Sequence, residues 1–289
     1  AIAKEILAFY MDYIGPYAYK KLANVQSKTR FGGMENAGAI FYSEYSVNGY
    51  RGEERLIAHE IVHQWFGNMA TEKSFAHFWL SEGFATYLTH IYLESKYGVD
   101  SLKKRMQEDR DEILSFVKSS KRPVVDSTSN YMSLLNANSY QKGGWVLHML
   151  RRQLGDSVFH KAIRQYYATY AGKNADTKDL QNIFELVSGK KLGKFFQQWL
   201  YTPENPRLDV TWKYNKTENN IAITVKQLQA SDFELPLEIL VQESAVTMPR
   251  RMIKTISKRT ETFIYPVKSK PVRIEIDPMV SLLFEGTIT

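Results

Sequence analysis

Cysteine is absent from the 289 residues, which excludes disulfides and thiolate metal ligands. That absence selects no compartment, and cytoplasm, periplasm and secretion all stay open. No apolar run approaches the roughly 18 residues needed to cross a bilayer, and no signal peptide opens the chain, so a soluble protein without membrane insertion is expected. Internal repeats and low-complexity tracts are lacking too. Charge of one sign is not concentrated anywhere: of the net +7, only +2 falls from Arg207 onward, where 12 basic residues face 10 acidic ones. Lys and Arg spread in this way describe a solvated surface, and no nucleic-acid partner is expected.

Prolines number only nine, so two of them within four residues, at Pro203 and Pro206, mark a break. The length and the 44% of hydrophobic residues suffice for two domains, each with its own core. Before the break, Ala3 to Tyr13 reads as an amphipathic helix, and Leu22 to Gln26 and Ala39 to Tyr45 as strands. Glu53 to Phe66 and Trp79 to Tyr97 read as helices, and Ser101 to Gly189 as a mostly helical lobe. Beyond the break, Leu208 to Tyr214, Asn220 to Gln227, Leu235 to Gln242, Met252 to Ile256, Glu261 to Tyr265 and Val272 to Ile276 are short β-rich segments between polar turns. That spacing predicts a small all-β sandwich, with Asp277 to Gly286 as its natural end.

What is present is a dense run of ligand chemistry. His59-Glu60-Ile61-Val62-His63 is followed, after eighteen residues, by Glu82. Positions four apart share a helix face, so His59 and His63 can aim both imidazoles at one ion. Glu82 would arrive from a second helix. Two imidazoles and one carboxylate leave a bound zinc ion with positive charge and an open position, the catalytic rather than the structural pattern. Water in such a site loses a proton near pH 7, to the benefit of a base such as Glu60. A chance HExxH is expected in a chain of this composition about 1% of the time, and the later Glu lowers that more than tenfold. Leu56, Ile57, Ile61, Val62, Trp65 and Phe66 recur at helical spacing around the histidines. A plain core helix would show that stripe without two His and a Glu. The expected cofactor is therefore one Zn2+ per chain and the expected chemistry is peptide hydrolysis.

Upstream, Gly32-Gly33-Met34-Glu35-Asn36 forms a Gly-rich turn with one acid. Alone it describes an exposed hairpin connection. With the zinc pattern it resembles the aminopeptidase N family of zinc exopeptidases, which includes leukotriene hydrolase and carries GxMEN ahead of HExxH and the later Glu. The resemblance extends to Trp65-Phe66-Gly67-Asn68 and to Trp79-Leu80-Ser81-Glu82-Gly83-Phe84-Ala85, where the family more often has Asn in place of Ser81. It continues through Tyr140-Gln141-Lys142-Gly143-Gly144, where a Glu commonly follows the Tyr, to Gln198-Trp199-Leu200. It covers essentially the whole first domain, and the β-rich part matches in position and character more than in motif.

The resemblance implies an α+β thermolysin-like catalytic domain with a mainly helical second lobe over 1–204, followed by the β-sandwich over 205–289. It implies that His59, His63 and Glu82 ligate zinc and that Glu60 activates water and passes the proton to the leaving amine. Tyr140 is implied as the hydrogen-bond donor to the oxyanion, a type of contact worth around 3 kcal/mol in the transition state. Glu35 is implied as the anchor of the substrate's free amino terminus. Physical chemistry agrees, because an α-amino group with a pKa of about 7.7–8.0 is largely cationic at neutral pH and pairs with a carboxylate. Gly32 and Gly33 leave the backbone free to approach the peptide in strand fashion, with Met34 and Asn36 beside it. Asn36, Asn68 and Thr86 lie within the motifs and also suit backbone satisfaction. The expected partners are peptides with a free amino terminus.

Full-length members of that family carry a further β-rich domain before the catalytic one, which helps hold the amino terminus and covers part of the cleft. Nothing here corresponds to it, nor to the helical domain that follows the sandwich in longer relatives. The chain is expected to be a piece of a larger peptidase that binds zinc and turns over aminoacyl substrates weakly. Two other functions are consistent with parts of the pattern: a thermolysin-type endopeptidase, which would not need Glu35, and a non-catalytic binding module, which would not need Glu60 and Tyr140.

Overall fold

The computed structural model of the chain describes residues 2–46, 48 and 51–289. They form two compact units, one of residues 1–116 with 123–201 and one of 117–122 with 202–289. The architecture is mixed α/β.

The first unit opens with α1 (Ile2–Tyr13), whose Ile6 and Tyr10 are buried, the Tyr10 hydroxyl donating to the Leu88 carbonyl at 3.3 Å. A three-stranded sheet follows, in the order β1 (Ala23–Ser27), β3 (Ala39–Ser43), β2 (Gly33–Met34). β1 runs parallel to β3, and β2 pairs antiparallel with β3 in the register Gly33 to Tyr42 and Met34 to Phe41. β2 is thus an edge, and at two residues it is too short for any alternating pattern to announce it.

The helix α2 (Glu54–Val62) carries the first His, and His63 sits at its C-cap in helical conformation. The sequence stripe runs on to Phe66, but the helix stops at Val62. Gly67 takes φ +113°, and the Ala70 amide donates to the Trp65 carbonyl, so Trp65 and Phe66 enter the core from a turn. β4 (Ala70–Glu72) follows and then α3 (Trp79–Tyr97), which spans the residues the pattern predicts. Trp79 to Leu93 of α3 are buried without a break. A helix covered on every side is the centre of its unit, and its polar residues Ser81, Glu82, Thr86, Thr89 and His90 are buried with it.

The rest of this unit is largely helical: α4 (Val99–Ser119) as far as Phe116, α5 (Tyr131–Leu134), a π-helical turn over Asn138–Lys142, α6 (Gly143–Leu154), α7 (Asp156–Tyr170), α8 (Thr177–Ser188), α9 (Gly193–Phe196) and a second π turn over Gln197–Tyr201. The expected helical lobe contains one short strand, β5 (Lys173–Ala175), which pairs parallel with β4, and an irregular stretch over residues 120–130. α8 begins with a capping box between Asp176 and Asp179 and ends at Gly189 with φ +68°, the start and stop chemistry that isolates a helix.

The second unit contains a four-stranded sheet, β10 (Thr260–Pro266), β7 (Asn220–Gln227), β6 (Arg207–Asn215), β12 (Glu285–Ile288), and a three-stranded sheet, β11 (Arg273–Ile276), β8 (Leu235–Gln242), β9 (Arg250–Ile256). Alternation explains β7: Ile221, Ile223, Val225 and Gln227 are buried while their neighbours are not. β12 was passed over by the sequence pattern. It begins in the stretch expected to close the domain, and pairs parallel with β6 through backbone bonds that its polar side chains do not advertise.

Candidate active site

The period of α2 brings the His59 and His63 rings to one face, with their Nε2 atoms 3.1 Å apart. Glu82, in the first turn of α3, places Oε2 3.2 Å from His59 Nε2 and 3.3 Å from His63 Nε2. The three form a group of His and Glu donors able to hold a metal ion. Ligand atoms bonded to zinc at 2.0–2.1 Å in a tetrahedron stand about 3.3 Å apart, so the triangle fits that ion. His63 Nδ1 lies 3.0 Å from the Phe66 carbonyl. A carbonyl only accepts, so Nδ1 carries the proton there and Nε2 is the atom left for a metal. Ser81 Oγ stands 3.2 Å from the same Nδ1.

Electrostatics agree with a cation-binding triangle. Burial favours neutral His63, but the Glu82 carboxylate overrides it and pushes the imidazole up to about 10. Burial likewise opposes ionisation of Glu82, yet His63 and His59 hold it down to about 2. The cluster therefore retains positive charge between the donors, and a divalent cation would displace a proton from it.

Glu60, one residue from the first ligand, is 5% exposed, and burial raises its carboxyl against the lowering pull of His59 and His63. β2 crosses it closely: a Cβ at Gly33 would fall on the Glu60 carboxyl. A side chain at position 33 would thus displace the Glu60 carboxyl. Tyr140 lies on the π turn, its ring parallel to that of His59 with centroids 6.1 Å apart. Burial, and then the charges of Glu82 and Glu35, raise its phenol well above the ordinary range, so it stays a donor. A glycine contact puts it there: a Cβ on Gly83 would meet the Gly143 backbone at 2.8 Å, so α3 and α6 touch main chain to main chain.

A cleft of about 260 Å³ joins Gly32, Gly33, Met34 and Glu35 to His59, Glu60, His63, Glu82 and Tyr140. Asn36 lies outside that lining, exposed in the next turn, where its carbonyl accepts from the Ala39 amide. Phe31, Tyr131 and Leu135 also line the cleft and give no signal in the sequence; Leu56 lines it too, and the helical stripe marked it only as apolar. Larger hollows of about 540 and 690 Å³ beside α7 lack the converging donors, so chemistry and not size picks out the site. Gln64 and Asn68 stand just behind it, both donating to the Glu35 carbonyl, at 3.0 and 2.7 Å. A buried amide in the middle of an apolar stripe was the available signal for Gln64.

Two histidines one helical turn apart, a carboxylate from the next helix and a buried carboxylate between the two histidines are the arrangement that the HExxH pattern with its later Glu implies. Residues 1–199 match the Peptidase family M1 domain, and the chain belongs to peptidase family M1, which is zinc-dependent in general. It is 31% identical over 275 residues, 86% of its length, to tricorn protease-interacting factor F2 of Thermoplasma volcanium. Aminopeptidase M1-C of Oryza sativa subsp. japonica is 31% identical over 232 residues, 75% of this chain. Aminopeptidase M1 of Arabidopsis thaliana is 30% identical over the same share. The chain spans 34% of the Thermoplasma protein and 26% of each plant protein. The crystal structure of Legionella pneumophila aminopeptidase A in complex with aspartic acid superposes with a TM-score of 0.81 over 99% of this chain and 34% of that one, at 17% identity, a likeness of fold.

Proposed function

We propose that this chain is the catalytic portion of a zinc aminopeptidase that removes the first residue from peptides with a free amino terminus. The observation that carries the proposal is the single cleft in which Glu35 faces the His59, His63 and Glu82 triangle, Glu60 and Tyr140. Residues 1–204 are assigned as a thermolysin-like catalytic domain with a helical lobe, and 205–289 as a β-sandwich. In longer relatives a preceding domain would cover part of this cleft.

His59, His63 and Glu82 would hold the ion, which supplies Lewis-acid polarisation and a more acidic water when bound. Glu35 pairs with the α-ammonium group and so fixes the first residue. β2 presents its backbone alongside the peptide, and the Gly33 position keeps the Glu60 carboxylate clear. Glu60, buried and raised, takes the proton of the attacking water and returns it to the departing amine. Tyr140, held in its phenol form, donates to the oxygen that gains negative charge, a contact worth around 3 kcal/mol.

The experiment compares free and acetylated leucyl reporters, with the chain and with its longer gene product, with and without chelator. Cleavage of the free reporter alone, lost with chelator, is the expected result. Equal cleavage of the acetylated reporter would indicate an endopeptidase, and no cleavage by the longer product a binding module. Glu60→Gln should retain zinc and remove hydrolysis.

A further inference from the structure

An exopeptidase that removes one residue per cut needs a fixed distance between the group that holds the amine and the group that acts on the carbonyl. In any aminoacyl substrate those two atoms are separated by the same two bonds. An error of about 1 Å in that separation costs on the order of 100-fold in rate. Glu35 is on a strand-to-strand turn, and turns are the mobile parts of a fold, so something must tie it to the metal helix.

We propose that Gln64 and Asn68 form an amide clamp that sets this distance, and are positioning residues for the amine anchor. This rests on the reading of Glu35 as that anchor. Gln64 directly follows His63 and is 1% exposed. Its Oε1 accepts from the Gly38 amide at 2.8 Å. Because that amide only donates, the side-chain orientation is settled, and Nε2 is the atom that reaches the Glu35 carbonyl at 3.0 Å. Asn68 Nδ2 donates to the same carbonyl at 2.7 Å, and its own backbone N–H donates to the His63 carbonyl at 3.0 Å. Both lone pairs of the Glu35 carbonyl are thereby used, by two side chains each tethered to His63, one through a peptide bond and one through a hydrogen bond. Gly38, at φ +69°, closes the turn so that one glutamine grips it at both ends. The anchor's backbone is therefore registered to a metal ligand through two short paths, neither passing through the substrate.

The test uses the zinc-loaded chain and two probes, leucine hydroxamate and its N-acetyl derivative, with binding measured by calorimetry. Both probes can bind the metal, and only the first has an ammonium group, so the ratio of their affinities reports the anchor. Gln64→Leu removes the donor to Glu35 with no ionisable group in its place; Asn68→Leu removes the second donor at nearly the same size. Each is expected to reduce the ratio about tenfold, toward that of Glu35→Gln, with zinc stoichiometry and the affinity for the acetylated probe preserved. Either variant suffices if the other does not fold. An unsubstituted chain that binds both probes equally would sink the anchor role of Glu35 and the clamp with it. A preference in the unsubstituted chain that survives unchanged in the variants would sink the clamp alone. Proportional loss of both affinities would also overturn it, because the amides would then only stabilise the fold.

Discussion

At the scale of single residues the site is a set of steric and electrostatic constraints. Gly33 is held as glycine by the Glu60 carboxyl, which occupies the place of its missing Cβ. Gly33→Ala is therefore expected to lower kcat on the order of 100-fold by displacing Glu60, the proposed base, with zinc content unchanged by metal analysis. Glu72 is a second constraint, one with no catalytic role assigned. Its Oε2 is buried without a hydrogen-bond partner among the described residues, and burial, with Glu82 adding to it, raises the carboxyl from 4.5 to about 7. The folded metal-free protein thus binds this proton more tightly than the unfolded chain, and stability is lost as pH rises from 4.5 to about 7. Glu72→Gln should raise the Tm of the metal-free protein above pH 7 and leave it little changed well below pH 4.5, as thermal melts across pH would record. The roles proposed for His59, Glu60, His63 and Glu82 rest on spacing alone. Glu35 and Tyr140 gained their roles only through resemblance, because one acid in a turn and one of 18 tyrosines carry no periodic signal.

Elements bring the residues together through close approach. α3 carries Glu82, and the segment ahead of α6 carries Tyr140; the two helices meet at Gly83 and Gly143 without side chains between them. A methyl at Gly143 would stand 3.0 Å from the Gly83 Cα and 3.3 Å from the Trp79 Cβ, both on α3. Gly143→Ala is expected to cost about 1–3 kcal/mol of stability by overpacking. It should also lower kcat more than it changes KM, since Tyr140, the proposed oxyanion donor, would move while Glu35, the proposed anchor, stays, and denaturant melts with steady-state kinetics would separate the two effects. The long elements were readable, α3 above all, because nineteen residues of apolar recurrence leave little ambiguity. β2, β4 and β5, at two or three residues each, were not, since their pairing comes from partners elsewhere in the chain.

For the molecule as a whole, metal binding and stability are one equilibrium. The triangle of His59, His63 and Glu82 links α2 to α3, so an ion bound there stabilises the folded form of the first unit. At 100 times its Kd a ligand contributes about 2.7 kcal/mol. Zinc added back to chelator-treated protein should raise the Tm at about pH 8 and progressively less toward about pH 6, because His63, pushed up to about 10 by Glu82, must release its proton. Proton release, read as a buffer-dependent heat of binding, would check the same displacement; zinc binding without it would contradict the charge-paired state of the cluster.

The sequence by itself carried the spacing of His59, Glu60, His63 and Glu82 and the change from mixed to strand-rich segments near Pro203. Helical and strand periods are local, and a helix of fixed pitch puts residues four apart on one face whatever surrounds it. Tertiary structure alone decided how those parts meet. The Glu35 carbonyl is gripped from 29 and 33 residues away, Gly33 lies against a base on another element, and Tyr140 reaches His59 through a glycine contact between two helices. Such approaches follow from packing between distant segments, where the absence of a side chain or the turn of one amide decides the distance, and no local period records them.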